Sequence, residues 1–274
     1  MMRVNPLLAP SDNQLQALMA PAHTAWRFTT TWAASEAEVR AAQQLRYAIF
    51  AGEMGARLTT LPGTVPGCDA DRFDAYCDHL LVHVVDPLDR QPPRLVGTYR
   101  VLRPEAARRA GGYYAESEFD LMPLRPLRAS TVELGRACVD AAWRGGGVIM
   151  ALWNELGRYM IRHRLDTMFG CASIGVADGG IQARRIWRYV SNGHLAAREW
   201  QLRPLQPLEG LDEYATSDFH FRDMPPLLKG YLRCGAKVLG PPSLDRQFNT
   251  ADLPIMLRLD ELTVRYRKQF LNSQ

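Results

Sequence analysis

The sequence predicts a mixed α/β domain, with antiparallel strands first and a βαβ unit after them. Three observations carry this. Two runs rich in β-branched residues, HLLVHVVD (79–86) and RLVGTYRVL (94–102), flank the insert DPLDRQPP and read as an antiparallel hairpin. The run TVELGRACVDAAWRGGGVIMALW (131–153) reads as a strand, a glycine turn and the start of a helix. The chain has 274 residues, 47% apolar and 23% charged, which suffices for a sizeable core and is ordinary for a globular protein in water.

Taken in order, residues 1–23 carry Pro and polar punctuation without a sustained period and read as a tail or docking arm. TAWRFTTTWA (24–33), rich in Thr and aromatics, is expected as the first strand. Ser35 with Glu38 three residues on forms a capping box, and Val39, Ala42, Leu45 and Ile49 recur at helical spacing. Together they predict a helix over 36–53. A loop with Pro62, Gly63, Pro66 and Gly67 leads into the hairpin, and the irregular GGYYAESEFDL precedes the strand at 131–140. After the glycines, Ile149, Leu152, Trp153, Leu156 and Met160 mark one helical face. DTMFGCASI (166–174) reads as a buried strand, DGGIQARRIWRYV (178–190) as a short helix and HLAAREWQL (194–202) as a further strand. The core is thus expected over 24–202. Residues 203–274 are expected as a C-terminal extension packed on it, with a helix at PPLLKGYLRCG, a strand at LPIMLRL and an amphipathic end.

The net charge of +4 is mild, but most of the 33 basic residues are Arg, which favours forked contacts with phosphate and carboxylate. That bias suits an acidic protein partner, a phosphorylated cofactor or an anionic membrane surface. No recognition motif or basic run points to nucleic acid. Cys68, Cys77, Cys138, Cys171 and Cys234 show no CxxC spacing and are expected as reduced thiols. The six histidines lack metal-ligand spacing, so no metal centre is expected, and no nucleophile elbow is present. With no run of 18 apolar residues and no secretion signal, the expected location is the cytosol or the inner face of its membrane.

Two groups in the strand–turn–helix run could carry chemistry. Gly145, Gly146 and Gly147 lie before a helix N-terminus, where free N–H groups attract an anion, and Arg144 stands beside them. They form either a phosphate site or a bare tight turn. Glu133 and Arg136 are three residues apart, which on a regular strand puts them on opposite faces. They form either a structural ion pair or, through a β-bulge within 133–138, two groups facing one cleft.

The element order and the Arg-Gly-Gly-Gly turn resemble the GNAT acyltransferase fold: a mixed, mostly antiparallel twisted sheet flanked by helices. The pattern Arg46–x3–Phe50, Asp71–x2–Asp74, Arg100, Phe119 and Glu133–x2–Arg136 resembles the acyl-homoserine-lactone synthases, with Ala56 where those carry a Trp. LRYAIFAGEMGA, FDAYCDHLLV, LVGTYRVLRP, YYAESEFDL, ELGRACVD, FGCAS, PPLLKGYLRCGA and DRQFNTADLPIML are similar to the L-ornithine Nα-acyltransferases that make lyso-ornithine lipid, and N-acyl amino acid synthases share much of this pattern.

The resemblance implies transfer of a 3-hydroxyacyl chain from an acyl-phosphopantetheine thioester on acyl carrier protein to an amino acid's α-amine, without a tightly bound cofactor. It implies Glu133 as the base, with a bulge N–H near Arg136 as oxyanion donor. Arg144 and Gly145 to Gly147 would take the donor's phosphate, and Tyr189 is a candidate proton source for the leaving thiolate. Arg46, Asp71, Asp74 and Arg100 would form the acceptor end, and Phe50 and Phe119 the acyl pocket. Arg144, Arg158, Arg162, Arg184, Arg185 and Arg188 would meet the acidic carrier protein. Ornithine is the expected acceptor, with peripheral membrane contact. The alternatives are an acetyl-CoA N-acetyltransferase, a homoserine-lactone signal synthase, an N-acyl amino acid synthase with another acceptor, and a non-catalytic lipid-binding or haemolysin-like protein.

Overall fold

The computed structural model describes residues 26–58, 61–88, 90–211 and 219–271. The expected tail, 1–23, lies outside them. After β1 (Arg27–Trp32), the capping box forms as expected: Ser35 accepts the Glu38 N–H and the Glu38 carboxylate accepts the Ser35 N–H. The helix it starts changes pitch on the way. An α-helix, α1 (Glu36–Tyr47), widens into a π-type segment, Ala48–Glu53, which buries Ile49 and Phe50. β2 (Asp78–Val85) and β3 (Arg94–Leu102) make the expected hairpin. α2 (Pro104–Ala110) and a short strand, β4 (Phe119–Asp120), lead to β5 (Thr131–Val139), α3 (Gly147–Arg162), β6 (Thr167–Gly175) and α4 (Ile181–Ser191).

One expectation needs correcting. Residues 194–202 do not form a strand. Leu195 makes a single bridge to Val238, and a 3-10 turn at Arg198–Trp200 follows. The strand fails because the backbone turns on itself: the Trp200 N–H bonds the Ala197 carbonyl and the Gln201 N–H the Arg198 carbonyl, while Ala196, Trp200 and Leu202 pack into one apolar cluster. The extension expected after residue 202 packs on the core and also adds strands to it. Beyond β7 (Arg203–Pro204) and α5 (Pro226–Cys234) come β8 (Lys237–Val238), β9 (Ser243–Asp245) and β10 (Thr250–Arg258), and then α6 (Val264–Leu271). β10 pairs antiparallel with the whole of β6, so the C-terminal segment completes the sheet.

The sheet runs β1-β2-β3-β5-β6-β10-β8, with β9 beside β10. The β5–β6 pair is parallel, and it holds only from Thr131–Thr167 to Leu134–Gly170. Gly170 ends the pairing at the closest approach: a Cβ there would stand 2.3 Å from the Leu134 carbonyl oxygen. Beyond that point β5 stays with β3 while β6 stays with β10, and the sheet splays open. α3 seals one face by burying Leu152, Leu156 and Met160 against Leu80, Val101 and Val132. Each such side chain contributes about 1.5–3 kcal/mol on burial.

Candidate active site

Along β3 and β5 the pairing slips by one residue. Thr98 faces Cys138 and Arg100 faces Gly135, so Tyr99 alone opposes both Arg136 and Ala137. This is the expected bulge. Arg136 has φ 53, a left-handed conformation that costs a non-glycine residue about 1 kcal/mol or more. The extra residue undoes the two-residue alternation, and Glu133 and Arg136 line one cleft with Arg100, Tyr114, Gly135 and Asp252.

Glu133 is 5% exposed, and its two oxygens accept the N–H groups of Ala115 and Tyr114, each at 2.7 Å. Both donors come from a 3-10 turn, Tyr114–Ser117. Desolvation pushes the Glu133 carboxyl up to about 7, against the pull of those N–H groups and of Arg100. A carboxyl titrating near neutrality is matched to general-base work at that pH, and each oxygen keeps a second lone pair for it.

The four residues expected at the acceptor end separate by burial. Arg46, 1% exposed, spends its guanidinium inside the fold. Its Nε bonds Asp69 at 2.8 Å, its Nη2 the Asp69 carbonyl, and its Nη1 and Nη2 grip Asp74 at 3.0 and 2.8 Å. Asp74 also accepts from Arg100 (3.1 Å), Gln43 (3.1 Å) and the Asp71 N–H (3.2 Å). Burial by itself raises the Asp74 carboxyl, but Arg46 and then Arg100 hold it far below the ordinary carboxylate range. Neither Arg46 nor Asp74 lines the cleft. Arg100 does. Asp71 fixes both cleft cations, accepting from Arg100 at 2.7 Å and from Arg136 at 3.1 Å. The Arg136 guanidinium also lies over the rings of Tyr114 and Phe248, 4.8 and 4.6 Å from their centres.

Where β5 and β6 part, an apolar cavity opens, lined by Tyr99, Leu134, Trp153, Gly170, Ile255 and Leu257 among others. It shares Leu134 and Cys171 with the Glu133 cleft. Phe50 and Phe119, expected to line an acyl pocket, line neither. Phe50 packs on Phe248 and Cys138, and Phe119 is sealed among Phe73, Leu202 and Leu239, because β4 pairs with β7 away from the splay.

At the glycine turn, Gly146 adopts φ 97, and Gly147 abuts Phe28, whose ring would lie 2.6 Å from a Cβ. Nothing lies within 4 Å of a Cβ on Gly145 or Gly146, so the turn before α3 is open on that side. Arg144 is already engaged, bonding Glu53 at 2.8 Å through Nη2 and the Val139 carbonyl at 3.0 Å. Arg158 and Arg162 pair with Glu155. They lie about 16 and 22 Å along α3 from Gly147 at the helical rise per residue, so they do not flank the turn. Tyr189 packs against His194, Phe219 and Phe221 and is absent from the cleft lining.

Residues 45–154 match the family model of the acetyltransferase (GNAT) domain. Over 239 residues the chain is 37% identical to the L-ornithine Nα-acyltransferase of Brucella abortus (strain 2308), covering 85% of this chain and 84% of that one. The chain belongs to the L-ornithine Nα-acyltransferase family. Another member, from Rhodobacter capsulatus, is 35% identical over 239 residues, 84% of this chain and 90% of its own. Among solved structures, FeeM, an N-acyl amino acid synthase from uncultured soil microbes, superimposes with TM-score 0.52 at 12% identity over 91% of this chain and 98% of that one. That likeness is one of fold. As a member of this L-ornithine Nα-acyltransferase family, the protein is an acyltransferase.

In this family member, sequence reasoning missed the far wall of the cleft. Asp252 on β10 lines it, Cys171 on β6 lines it, and Glu118 lies against both. Among the described residues these three are the group whose geometry could hold a metal ion. Histidine spacing could not reveal it, because it contains no histidine. All three lie in stretches that carry the family resemblance: Glu118 in YYAESEFDL, Cys171 in FGCAS and Asp252 in DRQFNTADLPIML.

Proposed function

We propose that the protein transfers a 3-hydroxyacyl chain from the phosphopantetheine thioester of acyl carrier protein to the α-amine of L-ornithine, giving lyso-ornithine lipid. The observation that carries the acceptor is the likeness, at 33–37% identity over most of the chain, to four curated L-ornithine Nα-acyltransferases. The site's chemistry supports the reaction class.

In this reading the thioester lies where β5 and β6 part, its acyl chain in the apolar cavity and its phosphate at the N–H groups of the glycine turn. The acceptor's carboxylate meets Arg100 and Arg136, and its α-ammonium gives a proton to Glu133, directly or through one water. The freed amine attacks the thioester carbon. A C–N bond forms, and the oxyanion is held by a backbone N–H released from the ladder at the bulge, an effect typically worth about 3 kcal/mol. Collapse breaks the C–S bond, the new nitrogen sheds its second proton to become an amide, and the thiolate takes up that proton through water. Asp71 acts by holding the two arginines, and Arg46 with Asp74 holds the loop that carries Asp71. The product is an amphiphile, so peripheral contact with the inner membrane face belongs to the same proposal.

The test is incubation of the purified protein with 3-hydroxyacyl carrier protein, or with the matching acyl-CoA, and a panel of amino acids, with mass detection of N-acyl products. Acyl-ornithine from the carrier-protein donor is expected. Equal turnover of acyl-CoA overturns the donor assignment, and an N-acylated product of another amino acid in its place overturns the acceptor.

A further inference from the structure

Beside the Glu133 cleft lies an acidic group for which the acyl-transfer chemistry has no use. Glu118 follows the Tyr114–Ser117 turn, and Asp252 sits on β10 opposite Ser173 of β6. One ligand atom each from Glu118, Cys171 and Asp252 lie within 4.8 Å of one another. Asp252 and Cys171 line the cleft with Glu133 and Arg136, and Glu118 lines the adjoining polar hollow with Tyr114, Asp245 and Gln247.

Glu118 is 8% exposed, and while ionised its carboxylate has no cation or N–H donor; its near neighbours are Asp252 and the Cys171 thiol, with which it can bond only by sharing a proton. Asp252, 6% exposed, accepts the Thr250 hydroxyl at 2.8 Å. Burying carboxylates this close together without a cation is costly, and the free protein meets the cost by protonation. Desolvation, then the charges of Asp252 and Asp245, drives Glu118 well above the ordinary carboxyl range, and desolvation raises Asp252 as well. What the cluster lacks is a compact donor with several N–H groups and a positive charge.

We propose that Glu118 and Asp252 receive the side-chain ammonium of the acceptor, so that this pair selects a diamino acid over its neutral isosteres. The inference deepens the acyl-transfer reading and rests on it. An alkylammonium offers three donors and no acceptor, the complement of two crowded carboxylates, and bonds of that kind are charge-assisted. The cleft then reads its substrate by sign. Arg100 and Arg136 take the carboxylate, Glu133 takes a proton from the α-ammonium, and Glu118 with Asp252 takes the far ammonium. A neutral side chain in the same place leaves the carboxylates without a partner, and sites that depend on such bonds reject analogues lacking them.

The experiment compares L-ornithine with L-norvaline, the same carbon skeleton without the terminal amine, in calorimetric binding and in steady-state turnover with 3-hydroxyacyl carrier protein. The wild type is expected to favour ornithine by about 100-fold or more in kcat/KM. Glu118→Gln and Asp252→Asn are expected to raise the ornithine KM by about tenfold or more and to narrow the preference for ornithine over norvaline by a similar factor. Variants that keep the wild-type ornithine KM overturn the inference while leaving ornithine acylation intact. Equal wild-type affinity for the two acceptors overturns it without any need for a folded variant. A preferred acceptor with a neutral or acidic side chain sinks both the inference and the proposed function. Wild-type activity lost to a chelator and restored by Zn²⁺ assigns the cluster to a metal ion instead.

Discussion

Around Asp74, three carboxylates (Asp69, Asp71 and Asp74) meet three guanidiniums (Arg46, Arg100 and Arg136), whereas around Glu118 two carboxylates meet a thiol and a threonine hydroxyl but no cation among the described residues. Both clusters are buried, and both lie beside Glu133. In the first, charge is balanced within the fold, and Asp74 has its acceptor positions filled by Arg46, Arg100, Gln43 and a backbone N–H. In the second, ionised Glu118 has no N–H or cation to accept from. Burial of charged residues therefore says little about role until the partners are counted. A carboxylate saturated as Asp74 is acts as scaffold, and an unsaturated one is a place for something the fold does not contain.

The sharpest break falls on Glu133, which stands between the two. Glu133→Ala should lower kcat/KM by about 10²- to 10⁴-fold, the usual contribution of a general base, while the folded spectrum persists. Because the working form is the anion and its carboxyl is pushed up to about 7, wild-type kcat/KM should climb with pH and level off above that value. A pH–rate profile that is flat from 5.5 to 8.5 would remove Glu133 from the chemistry.

Next in size is Asp74→Asn, which leaves buried guanidiniums short of a partner and should cost about 3–5 kcal/mol in urea unfolding. The Asp74 carboxyl is depressed in the fold, so its contribution is present above its ordinary value of 3.8 and is lost as pH falls below it. The gap between variant and wild type should close in acid.

Glu118→Gln should do the reverse. Its carboxyl is raised in the fold, so it favours folding below its ordinary value of 4.5 and becomes a burden as pH rises above that. Thermal melts should show the variant equal to wild type near pH 4 and more stable at pH 8. Loss of stability at pH 8 would show that Glu118 is paired within the fold and would erase the contrast with Asp74.

Smaller again is Gly146→Ala, at φ 97, which should cost about 1–2 kcal/mol and raise the donor KM without touching ornithine KM. The smallest effect is expected from charge reversal at exposed Arg185 and Arg188, which should slow carrier-protein turnover at low salt and leave acyl-CoA turnover unchanged.

Much of this was legible beforehand where the cause is local. The capping box at Ser35–Glu38, the apolar face of α3 and the hairpin each follow from spacings of a few residues. Even the bulge could be anticipated, since Glu133 and Arg136 could share a cleft only if the strand's alternation broke between them. The strand expected at 194–202 failed because its backbone turns on itself at Arg198–Trp200, while its apolar residues pack into a cluster assembled from β4, β6 and β8's surroundings.

Roles within the site depended on neighbours distant in sequence. Arg46 has the same residue type and helical setting as a surface arginine; Asp69 and Asp74 closing over it make it scaffold. Phe50 and Phe119 were rightly apolar, but apolarity says that a side chain is buried and not what it faces. The apolar cavity exists because β5 and β6 part after Gly170, and the Glu118–Asp252 pair because β10 returns beside β6. Caps, periods and turn glycines act over one or two turns of chain, so the sequence by itself determined them. Pairing, desolvation and the shift of a carboxyl toward neutrality are sums over neighbours that only the folded sheet brings within a few ångströms, so tertiary structure decided them.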